Sequence, residues 1–518
     1  LMNEISAEWT APSLRRQMRR TLTQGDISSF DVDVTTWTRN QPDGAVAHPV
    51  LFYRSRAAED PVRMEAELEF VYDETAERWE VLWSEHSLLP GYAGGARRAR
   101  FQTEYRWPRR AGIFDRDGRA IARGGIVERA YPFGLIGGTT VGHLEPLARG
   151  DVAAEAPHDA GDLVGASGLE AAFEERLAGT PRGVLRVVDG NGDATVLGRI
   201  RPTPGRRARV TLDMDVQRAA EAAFGSTVGG AVVLDPSTGD LLAVVSSSPF
   251  DPNNYVGVPD VEPFNRALSG LYPPGSSLKV MTAAAALEER VMTPTTQLTG
   301  PKEYRGVRNF ESGEFGTISF ASALRESVNT AFAQVALELG PRRLKTYADG
   351  FGFNSPPSME LAAATSSFPF PEDEGDVMWG AIGQAQVLAT PLQMATIAAT
   401  VANGGRRMEP RILTGASEEW IQLLKPETAA TLRDLMEGVV ESGTGVAAGI
   451  GGVSVAGKTG TAEVDVAGER KNHAWFICFA PADTPRVAVA VVVELGGIGG
   501  RVAAPIARQI LQNVLPLV

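Results

Sequence analysis

One cysteine, Cys478, stands in the whole sequence, so no disulfide closes within it. Its place in the apolar run Trp475-Phe-Ile-Cys-Phe479 reads as that of a small buried hydrophobe. Histidines number five; His48 and His86 stand alone, which is commoner for structural residues than for ligands, and no metal or other cofactor is expected. No run of eighteen consecutive apolar residues occurs, so the sequence as given holds no membrane span and no signal peptide. Because it opens at Leu1 in what reads as mid-element, an N-terminal segment is expected to precede it. A cationic excess is missing too. With a net charge of −13 and a pI near 5.1, no nucleic-acid partner is expected, and the runs Arg15-Arg16, Arg19-Arg20 and Arg97-Arg98 read as solvated surface. Lysine is the scarcer cation: of 50 Lys and Arg residues six are Lys, and none precedes Lys279. Where nearly every cation is Arg, a lysine points to a need for an amine that can lose its proton, which a guanidinium does not do.

At 518 residues the chain is long enough for two to four domains. Residues 1–87 mix a short helical pattern (12–22) with alternating strands at 30–34, 48–53, 64–72 and 79–83, the last two joined as a hairpin; this reads as a small α+β domain. Residues 88–205 are strand-rich and extended, with a turn-bearing strand pair at Arg110-Ala-Gly-Ile-Phe-Asp-Arg-Asp-Gly118, a glycine-closed helix over 164–179, a hairpin over 184–201 around Asp189-Gly-Asn-Gly192, and a Pro/Gly linker at its end. From 206 to 518 the pattern changes. A helix over 213–224 and two buried strands within 230–246 are answered near the C-terminus by strands at 453–455, 474–479 and 487–495 and a helix over 502–515. A mostly helical stretch, 276 to about 445, lies between, so the sheet is assembled from both ends of this domain.

The chemistry gathers at three places. Tyr272-Pro-Pro-Gly-Ser-Ser-Leu-Lys279 reads as a turn followed by a helix to about Arg290. Ser276 and Lys279, three apart, share a face, and a lysine held neutral part of the time by burial or a second cation can take the hydroxyl proton. Taken alone, Ser-x-x-Lys is more often a solvated helix face. Ser327-Val-Asn329, at a loop–helix junction, can send a hydroxyl and an amide into one cleft, although helix capping is its everyday reading. Lys458-Thr-Gly-Thr461 follows an alternating strand; on an exposed edge strand Lys458 and Thr461 would face a cleft, and Gly460 would let a substrate backbone approach.

Together and in this order the three motifs resemble the serine transpeptidase superfamily of penicillin-binding proteins and serine β-lactamases. Tyr-Pro-Pro-Gly before the serine, Gly383-Gln-Ala-Gln-Val-Leu-Ala-Thr-Pro-Leu-Gln-Met394 and His473-Ala-Trp-Phe are similar to the penicillin-binding transpeptidases, with Gly-Gln-Ala where the family more often shows Gly-Gln-Gly. Residues 110–118 and Gly165-Ala-Ser-Gly-Leu-Glu170 resemble the pedestal, or dimerisation, domain of class B penicillin-binding proteins. Residues 1–87, and 79–90 above all, resemble the nuclear-transport-factor-2-like (NTF2-like) domain of one branch of that class.

The resemblance implies a multidomain α+β fold: an NTF2-like domain (1–87) lacking its first helices, a pedestal and linker (88–205), and a transpeptidase domain (206–518) whose antiparallel sheet carries helices on both faces and a helical subdomain. It implies a D,D-transpeptidase without a glycosyltransferase module, anchored outside the bacterial cell membrane by an N-terminal helix absent from this sequence. Its partners would be peptidoglycan stem peptides, β-lactams and cell-wall synthesis proteins such as a glycosyltransferase. The roles implied are Ser276 as nucleophile, Lys279 as base, Ser327 with Lys458 as proton return, Asn329 as substrate donor, backbone N–H groups of Ser276 and Thr461 as oxyanion hole, and Lys458, Thr459 and Thr461 as carboxylate site beside Gly460. Two alternatives stay open. A β-lactamase needs a positioned water and a carboxylate, for which Pro371-Glu-Asp-Glu374 is the candidate; a non-catalytic β-lactam sensor or division scaffold needs neither.

Overall fold

The computed structural model describes residues 11–75, 77–82, 87, 89–90, 92, 99–148, 158, 161–247, 250–254 and 264–518. His86, the Arg97-Arg98 pair and the last residue of the strand expected over 79–83 lie outside them.

At the N-terminal end a helix (Ala11–Gln24) precedes a long hairpin, Ile27–Gln41 with Gly44–Ser55, which turns at Pro42-Asp43. The strand expected over 64–72 is two strands, Val62–Glu65 and Leu68–Asp73, both paired with Gly44–Ser55. The break falls opposite His48-Pro49, where proline has no N–H to continue the ladder. Leu68–Asp73 and Arg78–Leu82 form the expected hairpin. Leu51, Tyr53, Val62 and Met64 pack with Phe101, Leu185 and Val187, so this core runs into the three-stranded sheet built from Arg100–Arg106, Arg182–Val188 and Ala194–Ile200.

In the middle region the expected strand pair is Ile113–Phe114 with Ala120–Ala122, and its turn is held by Asp115, whose Oδ1 accepts from the N–H groups of Asp117 (3.1 Å) and Arg119 (2.7 Å). The continuous helix expected over 164–179 is not formed. Leu163–Gly165 is a strand on Leu144–Pro146, and two short helices follow, Gly168–Ala172 and Glu174–Ala178. The Glu174 carboxylate accepts the Gly165 N–H at 2.7 Å, so the segment folds back on itself where a helix would have run straight. Arg110 and Glu170, from the two segments that resemble a pedestal, meet at 2.8 Å with both side chains fully buried, and Arg129 closes on the other Glu170 oxygen at 2.6 Å.

From residue 214 the elements that position the site are helix α1 (Met214–Phe224), strands β1 (Gly229–Leu234) and β2 (Leu241–Ser246), helices α2 (Lys279–Glu288), α3 (Asn329–Gly350), α4 (Pro391–Ala402) and α5 (Pro426–Ser442), strands β3 (Ala456–Val466), β4 (Glu469–Ala480) and β5 (Val487–Val493), and helix α6 (Ala503–Val514). The sheet order is β2-β1-β5-β4-β3, antiparallel throughout, so both ends of this region do contribute strands. Alternate residues of β5 feed two cores. Val487, Val489, Val491 and Val493 join α1 and α6 on one face. Ala488, Ala490 and Val492 join α2, α3 and α4 on the other. With both faces covered every residue of β5 is buried, which is why it reads as a continuous apolar run. No helix among the described residues is long and apolar enough to cross a membrane.

Candidate active site

Ser276 lies half-buried in a 3₁₀ turn, Gly275–Leu278, that runs directly into α2 at Lys279. The expected helix therefore starts one turn late. A 3₁₀ turn has three residues per turn, which sets residues three apart, such as Ser276 and Lys279, one above the other on the same side. The turn is held from several sides: Gly275 N–H donates to Gly383 O (2.8 Å), Trp475 Nε1 to Pro273 O (2.9 Å), and Tyr272 exchanges backbone hydrogen bonds with Ala389. Tyr272 OH donates to Glu494 Oε1 (2.6 Å), which Arg266 Nε also reaches at 2.9 Å. Burial, with that carboxylate, raises the Tyr272 phenol far above its ordinary pKa, so it acts as a donor. The segments that look most family-like, 383–394 and 473–476, thus form the backing of the turn that carries Ser276.

Lys279 is fully buried. Its Nζ donates to Ser327 O (2.7 Å) and Asn329 Oδ1 (2.6 Å) and stands 3.3 Å from Ser327 Oγ. Burial, and then the charge of Lys458, hold its pKa well below the usual lysine value. A neutral amine still has two N–H groups, enough for the first two acceptors, and keeps a lone pair for a hydroxyl proton. No hydrogen bond joins Lys279 Nζ to Ser276 Oγ among the described residues; such contacts commonly tighten only when substrate is bound.

Ser327 sits at φ +58, a left-handed conformation that costs a non-glycine residue about 1–2 kcal/mol, just ahead of α3. That geometry turns both its carbonyl and its hydroxyl toward Lys279. Asn329 is held by its Nδ2 donating to Arg308 O (2.9 Å), leaving one N–H of the amide for a ligand. Lys458, also fully buried, donates to Ser327 Oγ at 2.8 Å and to Thr459 O at 3.0 Å. Burial brings its pKa down to about 7.

Lys458-Thr-Gly-Thr461 is on β3, the edge strand, but the edge is not exposed: residues 456–460 are buried beneath the Ser276 turn and α5. The expected strand at 453–455 starts instead at Ala456. Lys458 and Thr461, three apart, cannot share a face of a regular strand; Lys458 reaches Ser327, whereas Thr461 Oγ1 accepts the Gly499 N–H at 3.3 Å. What approaches Gly460 is the chain itself: a Cβ there would lie 2.7 Å from Pro274 O and 2.8 Å from Trp475 Cβ. Thr459 Oγ1 meets Thr444 Oγ1 at 2.7 Å. The sequence reading missed Thr444; a threonine set between Gly443 and Gly445 at the end of a helix was the only signal.

The acidic loop 371–374 does not join this cluster. Asp373 caps the helix Glu374–Ala381 by accepting from Asp376 N–H (2.8 Å), and Glu374 pairs with Arg305 at the surface. The Gly-Gln-Ala departure is a turn that buries Gly383 and exposes Ala385, which adopts φ +60.

The arrangement, two buried amines flanking a serine hydroxyl beside a second half-buried serine, suits acyl transfer through a serine ester. Comparison with known proteins agrees. The family model of the penicillin-binding protein transpeptidase domain matches residues 229–512, and that of the penicillin-binding protein dimerisation domain matches residues 125–209. The peptidoglycan D,D-transpeptidase PbpA of Mycolicibacterium smegmatis is 37% identical over 365 residues, covering 61% of this chain and 74% of that protein. Among solved structures, Pseudomonas aeruginosa PBP2 in complex with WCK 5153 superposes with a TM-score of 0.68 at 30% identity, covering 80% of this chain and 97% of that one. Penicillin-binding protein A of Mycobacterium tuberculosis, as its ceftriaxone acyl-enzyme, gives 0.64 at 30% identity, over 79% and 98%.

Proposed function

This chain belongs to the class B penicillin-binding proteins, and from that premise we propose how its residues divide the work of a peptidoglycan D,D-transpeptidase. Ser276 Oγ attacks the carbonyl before the terminal D-alanine of a stem peptide, and Lys279 Nζ takes its proton. The tetrahedral oxyanion lies between the backbone N–H groups of Ser276 and Thr461, each such donor being worth about 3–4 kcal/mol. Ser327 Oγ, hydrogen-bonded to Lys458, passes a proton to the departing D-alanine amine. Thr459 and Thr461, two apart and so on one face of β3, bind the substrate's terminal carboxylate, with the Lys458 amine, 3.5 Å from Thr459 Oγ1, reaching round to it from the other face. Asn329 donates its free amide N–H to the peptide, and Gly460 lets the nucleophile turn close on β3. The amine of a second stem peptide then attacks the Ser276 ester and the cross-link forms. A β-lactam enters by the same attack and stays as a Ser276 ester.

The observation that carries these roles is the convergence of Lys279 Nζ and Lys458 Nζ on Ser327 Oγ, at 3.3 and 2.8 Å, beside the turn that presents Ser276. A fluorescent penicillin tests it: the protein is labelled covalently, Ser276→Ala is not, and labelling that survives in that variant overturns the assignment. Mass spectrometry of the adduct over hours separates transfer from β-lactam hydrolysis, since return to the free mass within minutes would mark a hydrolase.

Around this site we place an NTF2-like domain over residues 1–87, a pedestal over 88–205 and the transpeptidase domain over 206–518. A polymer outside the cytoplasmic membrane puts the enzyme on that side. The pedestal would hold the cleft away from the membrane, where a glycosyltransferase of the cell-wall machinery supplies the strands.

A further inference from the structure

Thr444 stands outside the three motifs, yet it touches two of them. It lies in the turn Gly443-Thr444-Gly445 that ends α5, and its N–H donates to Arg325 O at 3.2 Å, two residues ahead of Ser327. The fit there is close: a Cβ at Gly443 would lie 2.5 Å from Arg325 O. On the other side its Oγ1 is 2.7 Å from Thr459 Oγ1 on β3. Thr444 is therefore a strut between the segment that carries Ser327 and the strand that carries Lys458 and Thr459.

We propose that Thr444 is a positioning residue whose hydroxyl donates to Thr459 Oγ1 and thereby aims the Thr459 proton at the terminal carboxylate of the donor peptide or the β-lactam. The proposal rests on the transpeptidase reading above. A threonine hydroxyl has one proton and two lone pairs. Thr459 Oγ1 has Lys458 Nζ at 3.5 Å on one side and Thr444 on the other, and is almost fully buried. With a lone pair engaged by Thr444, the Thr459 proton is left for an incoming anion, and Lys458 Nζ faces the same anion as a second donor. Without Thr444 the Thr459 hydroxyl is free to rotate toward its own backbone, and the carboxylate meets a donor that must first be reoriented. Binding a preset donor is what raises the acylation rate, because the hydrogen bond is worth most where no group has to move.

The test compares benzylpenicillin with its methyl ester, which lacks the carboxylate, as acylating agents of the full chain. Measured are second-order acylation rates for the wild type, Thr444→Ser, Thr444→Val, Thr459→Val and the Thr444→Val/Thr459→Val double variant. The rate ratio between acid and ester is internal to each variant, so a partly unfolded preparation does not distort it. Thr444→Val is expected to lower that ratio by roughly 10- to 100-fold, Thr444→Ser to keep it within about threefold, and the double variant to be no worse than Thr459→Val alone. An unchanged ratio in Thr444→Val, or losses that multiply in the double variant, overturns the positioning role. A wild type that benzylpenicillin does not acylate at Ser276 overturns the transpeptidase reading itself, a result distinct from either.

Discussion

Lys279 and Lys458 converge on one atom: their Nζ atoms stand 3.3 and 2.8 Å from Ser327 Oγ, and both side chains are fully buried. Two ammonium groups so placed repel in a medium that screens poorly. Burial sets the Lys458 pKa near 7, and burial with the Lys458 charge holds Lys279 well below its ordinary value. Both shifts favour loss of a proton from the pair, which leaves an amine able to act as the free base that the role proposed for Lys279 requires.

The acylation rate should accordingly follow a bell. It rises with pH as Lys279 loses its proton, and falls above about 7 as Lys458 loses the charge that attracts the substrate carboxylate. Second-order acylation by benzylpenicillin between pH 5 and 9 checks this, and a rate still climbing at the alkaline end would contradict it. Lys279→Arg, which cannot be a free base, is expected to abolish acylation with the fold preserved.

The same lysine makes stability depend on pH. Folded Lys458 titrates near 7 and the unfolded side chain near 10.5, so between those values the unfolded chain binds the extra proton. Stability due to this group rises with pH across that window and is lost as pH falls toward 7, by up to about 1.4 kcal/mol per unit. The wild type should therefore gain on Lys458→Met in denaturant unfolding from pH 7 to 10. A difference that stays flat would mean Lys458 is not buried as a titrating amine.

How far the sequence foretold this site follows from what periodicity carries. The sheet strands and the three motifs were legible because each is local: a buried apolar run, a turn before a helix, a serine two residues from an asparagine. What was not legible is what the motifs touch. The partner of Gly460 is Pro274 and that of Thr459 is Thr444, contacts across 186 and 15 residues that no spacing rule encodes. The helix expected over 164–179 failed for the same reason, since strand pairing to residues 144–146 and a Glu174 carboxylate override local propensity there.

Arg110 and Glu170 were visible only as parts of two familiar-looking segments; the structure makes them a buried ion pair shared with Arg129. Glu170→Ala leaves the buried Arg129 guanidinium without its carboxylate and Arg110 with only that of Glu174, 2.8 Å away, and should cost about 3–5 kcal/mol. Denaturant unfolding measures it. A loss below 1 kcal/mol would show that water reaches this cluster.

Ala385, exposed at φ +60, holds a left-handed conformation that costs an L-residue about 1–2 kcal/mol and glycine nothing. Glycine gives back roughly 0.5–1 kcal/mol through the entropy of the unfolded chain. Ala385→Gly should therefore be neutral to about 1 kcal/mol stabilising, with acylation unchanged. Clear destabilisation would show that the Ala385 methyl makes a contact of its own.

Gly460 is where packing and catalysis meet most directly. An added Cβ would stand 2.7 Å from Pro274 O, 2.8 Å from Trp475 Cβ and 3.1 Å from Ser277 N. Two of these are backbone atoms of the segment bearing Ser276, and Trp475 is itself fixed by its hydrogen bond to Pro273 O, so no flexible side chain can absorb the clash. Either β3 or the nucleophile turn must move by several tenths of an ångström, which widens the gap between the Ser276 and Thr461 N–H groups where the oxyanion would lie. Overpacking of this kind costs about 1–3 kcal/mol of stability, and a displacement approaching 1 Å costs on the order of 100-fold in rate. Gly460→Ala is thus expected to fold with a modestly lower melting temperature and to be acylated at least tenfold more slowly by both benzylpenicillin and its ester, because the lesion lies at the oxyanion and not at the carboxylate. Equal slowing of acid and ester separates it from Thr444→Val, and wild-type acylation in Gly460→Ala would mean that the nucleophile turn tolerates a shift that this geometry denies it.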